Sequence, residues 1–131
     1  MGISLDTARK LKDAGLKWEP ETCDTYYWPR KFNNPVQVMH RDFDLLQKEQ
    51  DTKGIVWAPR LSQLLAEIER REYGFNLCSG FRDGKAGCML WQDGYGPVKI
   101  VRADTWEEAA ANALLWILER EKNDSRNQGV V

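Results

Sequence analysis

Apolar residues recur along this chain with two periods, and each period marks a type of element. Leu5, Ala8 and Leu11 share one helical face, with Ala14 at its end, Ser4 in the cap position and Gly15 just beyond. This predicts a short helix with a glycine stop and a basic outer face of Arg9, Lys10 and Lys12. Leu61, Leu64, Leu65 and Ile68 repeat at helical spacing and predict a second amphipathic helix to about Glu72. The third helix has the strongest pattern. Trp106, Ala110, Ala113, Leu114 and Ile117 form a stripe, widened by Ala111, Leu115 and Leu118. Two overlapping capping boxes precede it, Asp104 with Glu107 and Thr105 with Glu108.

Between the helices the period shortens to two. Residues 24–29 are rich in Thr, Tyr and Trp, residues 36–40 alternate, and Phe32-Asn33-Asn34-Pro35 reads as the turn between them. Residues 55–57 form a short extended piece that runs into Pro59. Residues 73–81, 86–92 and 97–103 read as an antiparallel meander, with turns at Arg82-Asp83-Gly84 and at 93–96. Residues 42–46 have some helical character, and 48–54 are polar and loop-like. The expected fold is therefore α+β: an antiparallel sheet, hairpin plus three-stranded meander, packed against three helices. Residues 1–122 are expected to form one domain and 123–131 a flexible tail.

Composition narrows the function. The chain has 131 residues, 42% of them hydrophobic, with six tryptophans, which suits a folded domain that needs no disulfide or metal to hold it. The net charge is −1, with ten Lys/Arg against nine Asp/Glu in residues 1–60. Neither half carries the basic excess of a protein that grips a phosphate backbone. No signal peptide is expected, no apolar run is long enough to span a bilayer, and no myristoylation is expected, since Asp6 stands where Ser or Thr is required. Cys23, Cys78 and Cys88 are odd in number and lack metal-type spacing, so a cytoplasmic protein with reduced thiols is expected. If the 82–84 turn centres the hairpin, Cys78 and Cys88 face each other directly.

Candidate chemistry is sparse. His40-Arg41-Asp42 matches the opening of a kinase catalytic loop, but Gln47 occupies the place of the required Asn and no nucleotide loop accompanies it. His40 with Cys23, Asp42 and Asp44 lacks the paired spacing of a structural zinc site. Gly94-Tyr95-Gly96 lacks the third glycine of a dinucleotide fingerprint. No metal, cofactor or catalytic residue is expected. The stretch "TYYWPR" (25–30) has two readings. As a strand it puts Tyr26 and Trp28 on one face, in the core, and Tyr27 on the other. As a binding surface it offers Tyr27, Trp28 and Arg30, with Trp57, as a stacking patch.

Three stretches, "ARKLKDAGLKW" (8–18), "APRLSQLLAEIERR" (58–71) and "ADTWEEAAANALLWILER" (103–120), resemble blocks of small uncharacterised bacteriophage- and prophage-encoded proteins of Gram-positive bacteria. The resemblance follows the order of elements over most of the chain but rests on core and capping residues. It implies an architecture and no catalytic residue. Arg60 departs from it, because a capping Thr or Ser is expected there. The leading expectation is a non-enzymatic protein-interaction module, acting on a protein partner or as a homodimer. The alternatives are a nucleic-acid-binding accessory protein using Tyr27, Trp28, Arg30 and the basic first helix, and a small hydrolase centred on His40.

Overall fold

The computed structural model describes residues 2–18, 23–31, 33–37, 54–79, 81–92, 94 and 96–128, the last five without their side chains. The expectations for His40, Asp42 and Asp44, for Phe32 and Tyr95, and for residues 38–53 lie outside the described residues. The class is α+β, with three helices and two three-stranded antiparallel sheets among the described residues. The chain divides into two compact units, Met1–Arg60 and Leu61–Val131.

In the first unit, helix α1 covers Leu5–Asp13. The Ser4 hydroxyl accepts from the Thr7 N–H at 3.2 Å, which satisfies one of the donors a helix start leaves open. At the other end the Gly15 N–H donates to the Lys12 carbonyl and the Leu16 N–H to the Leu11 carbonyl, both at 3.0 Å. This pair of bonds is a Schellman motif, and it needs a residue in the left-handed region; Gly15 sits there at φ +102°. Three short strands follow: β1 (Thr25–Tyr27), β2 (Val36–Gln37) and β3 (Val56–Ala58), in the order β2-β1-β3. The expected hairpin is present, and the extended piece at 55–57 becomes the third strand. The hairpin and the meander form separate sheets, one in each unit.

In the second unit, α2 (Leu61–Arg70) leads into strands β4 (Tyr73–Cys78), β5 (Ala86–Gln92) and β6 (Gly96–Ala103), then α3 (Trp106–Gln128). The sheet order is β4-β5-β6. Helix α3 packs on β5 and β6, and α2 packs on β4 and beside α3. Ala109, Ala110, Ala111 and Ala113 are fully buried, so small side chains let the α3 backbone approach its neighbours closely. Leu64, Ile68, Leu114 and Ile117 fill the space around them, also fully buried. Of the two capping boxes, the second is used: the Thr105 hydroxyl accepts from the Glu108 N–H at 3.2 Å. Asp104 instead pairs with Lys85 at 3.1 Å.

Three expectations are corrected. Leu65 is half-buried, because it lies to the flank of the Leu64–Ile68 line that faces the core. Trp106 is 43% exposed, since it opens α3 one turn before the buried alanines; its indole N–H donates to the Cys78 carbonyl at 3.0 Å. The β4–β5 register differs by one residue, so Cys78 faces Gly87 and Cys88 faces Leu77. A one-residue slip moves every side chain to the other face, and here the observed register puts Cys88 and Leu90 in the core. The ring of Phe81 folds back over Gly87, where a Cβ would lie 2.8 Å from Phe81 Cε2. A Cβ there would push the ring aside, so glycine suits this position on the outer face. Cys78 and Cys88 therefore sit on opposite faces, and all three thiols are free.

Leu114→Ala should cost about 2–5 kcal/mol in chemical denaturation, and Leu115→Ala distinctly less, because only Leu114 is sealed. Equal losses would mean that α3 is rotated.

Burial pushes the Cys88 thiol from 9.0 up to about 11, and the neighbouring Cys78 adds to the rise. The folded chain thus keeps this proton to a higher pH than the unfolded chain. The stabilisation is complete below pH 9 and is lost as the pH rises through about 11. The stability of the wild type should fall across that window relative to Cys88→Ala, and iodoacetamide at neutral pH should modify Cys23 long before Cys88. Parallel pH curves and rapid labelling of Cys88 would together show that this thiol is solvated.

Candidate functional site

The aromatic stretch at 25–30 enters the first unit as a strand with two faces. Tyr26 pairs with Val36 on one side and Trp57 on the other, so these three side chains share a face. They join Trp18, Trp28 and Ile55 in one apolar cluster. The Trp18 and Trp57 rings are nearly parallel, 8° apart with centroids 6.3 Å from each other, and Tyr26 tilts against Trp18 at 5.9 Å. Trp28 is only 9% exposed, and the Lys31 ammonium lies 5.0 Å from its ring centre. Tyr27 points to the opposite face, where it is half-buried and its hydroxyl donates to the Ile3 carbonyl at 2.7 Å.

The strand period therefore holds for Tyr26, Trp28 and Tyr27. The four residues named for a stacking patch do not share one surface: Trp28 and Trp57 belong to the cluster, Tyr27 lies behind it, and Arg30 is exposed.

Beside the cluster lies a cavity of about 470 Å³. Its apolar wall is Ala8, Leu11, Leu16 and Ile55, and the indoles of Trp18 and Trp57 contribute the aromatic part. Lys12, Asp13 and Lys17 supply its charges. The Lys12 ammonium is fixed by the Ile55 carbonyl at 2.8 Å. The Trp57 indole nitrogen is sealed from solvent and has no acceptor among the described residues. A buried donor left without an acceptor costs about 1–3 kcal/mol.

The second surface of interest is the outer face of the β4-β5-β6 sheet. The helices cover the face that carries Cys88 and Leu90. The alternate residues, Met89 and Trp91 of β5, point the other way, with Ile100 opposite Met89 and Arg102 opposite Gly87. Ile100 is 46% exposed. The β4 residues of this face are Gly74, Asn76 and Cys78, so Arg102 is the one charged side chain that the three strands place there. Arg102 lies 3.6 Å from Asp83 and over the Phe81 ring at 5.0 Å. Sequence reading missed this face. Its signal was present, because β5 is apolar at both alternations although helices cover only one side.

Among the described residues, no three His, Cys, Asp or Glu side chains gather as metal ligands would. None of the described helices is long and apolar enough to cross a membrane. Compared with protein-family models, curated proteins and solved structures, the chain matches none of them.

The geometry around β1 sets a contrast between neighbours. Trp28→Ala should destabilise the fold by about 3–5 kcal/mol, because it removes a ring from the cluster. Tyr27→Phe, which removes the hydroxyl that donates to the Ile3 carbonyl, should cost about 0.5–1.5 kcal/mol. Urea melts of both variants decide the matter, and a larger loss for Tyr27→Phe would reverse the assignment of faces.

Proposed function

We propose that the protein is a small non-enzymatic interaction module, of the phage or prophage type its sequence resembles, and that it works through protein contacts made by the outer face of its β4-β5-β6 sheet. The observation that supports this reading is the exposed Ile100, set beside Met89 and Trp91 on a nearly uncharged face. Scattered exposed apolar residues need no explanation, but a contiguous group on a regular surface marks a contact site. The occupant is a second copy of the chain. Arg102 and Asp83 stand together at one end of the face, so it offers both signs of charge. A two-fold arrangement can set the arginine of each copy beside the aspartate of the other.

Sedimentation equilibrium tests this directly. The wild type should be dimeric at about 100 μM, a concentration at which even a micromolar complex is almost fully formed. Ile100→Glu should be monomeric with an unchanged circular dichroism spectrum, since Ile100 contributes little to the core. A monomeric wild type, or a dimer that survives Ile100→Glu, overturns the reading.

A further inference from the structure

We infer that the cavity beside α1 is a binding site for a small planar aromatic carboxylate. The inference uses residues of the first unit only and does not rest on the interaction face. The volume, about 470 Å³, falls in the range of pockets that enclose a small organic molecule.

The wall chemistry selects the body of the ligand. Ala8, Leu11, Leu16 and Ile55 offer aliphatic surface, and Trp18 and Trp57 offer aromatic surface held in a fixed stack. A flat ring system covers such a wall at little conformational cost. The register explains why the stack is rigid. Trp57 is paired through its backbone with Tyr26, and Trp18 is tethered by its indole N–H to the buried Asp24 carboxylate at 3.0 Å.

The charges select the head group. Among the described residues, two lysines and one aspartate line the cavity, a balance of one positive charge. The C-terminal end of α1 lies here as well, and a helix end of this kind carries about half a negative charge. The lysines outweigh it, and the Schellman bonds occupy the Leu11 and Lys12 carbonyls. Lys12 is anchored in place by the Ile55 carbonyl, while Lys17 is exposed. An anionic group therefore meets one anchored and one exposed cation.

The probes are 1-naphthaleneacetate and its cationic counterpart 1-naphthylmethylammonium, titrated into the ¹⁵N-labelled chain. The acetate should shift the Trp18 and Trp57 indole N–H resonances in a saturable way, with the Trp57 signal assigned by its absence in Trp57→Phe. It should bind about tenfold more tightly than the ammonium compound, and Lys17→Glu should weaken it by about the same factor. Lys17 is exposed, so that variant should retain the wild-type spectrum elsewhere. Equal affinity for the two probes, indifference to Lys17→Glu, shifts confined to other tryptophans, or no saturable shift at millimolar acetate would each overturn the proposal.

Discussion

A carboxylate cannot be buried alone, and the first unit is organised around one that is buried. Asp24 is 1% exposed. Its oxygens receive the Trp18 indole N–H at 3.0 Å and lie 3.8 Å from the Arg60 guanidinium. The Trp18 indole is the close, buried partner, and the half-exposed Arg60 contributes the weaker attraction of a pair near the surface. The segments before β1 and after β3 are thereby tied to the same atom group. Arg60 also donates to the Cys23 carbonyl at 3.1 Å, and Cys23 itself holds a left-handed backbone at φ +72°. That strain, of order 1–3 kcal/mol, persists beside Asp24, which is held by the Trp18 indole and the Arg60 guanidinium. The position that looks like a missing helix cap is thus filled by an arginine with a different task.

Among its described residues the second unit buries no such charge, and close approach governs its packing. Four fully buried alanines bring α3 down on the sheet, and Gly87 lets the Phe81 ring lie against β5 from the other side. Both devices depend on the absence of side-chain atoms. Around them Tyr73 meets Trp116 edge-on at 6.4 Å, and Arg71 joins Glu67 of α2 at 2.6 Å and approaches Glu121 of α3 at 3.7 Å. These peripheral contacts fix the rim, while the alanines set the distance between layers.

The legible parts of the fold are those decided by local period. The α3 stripe, the Thr105 cap, the Ser4 cap and the Gly15 stop each lie within a few residues of the structure they specify, so sequence spacing suffices. The same holds for Tyr26 and Trp28 against Tyr27. The β4–β5 register was not legible, because it depends on a phenylalanine folding onto a glycine six residues later and on which face α3 covers. The pairing of β1 with β3 was not legible either, since it joins segments some thirty residues apart. At the candidate sites, the sequence named Trp57 only within a patch with Tyr27, Trp28 and Arg30. The cavity that it lines needs α1 and β3 together, and no local pattern announces that.

The sheet of the second unit presents two edge strands and an outer face, and the β6 edge is defended. Strand β6 carries Pro97, which lacks a donor, and Lys99, and the register shifts between Leu90 and Trp91 break the regular ladder. These are the features by which natural sheets discourage strand addition. The outer face has no comparable defence: its strands place one charged side chain there, and that charge is already balanced by Asp83. With the β6 edge so protected, the surface this sheet offers on its outer face is one of side chains rather than of open backbone groups.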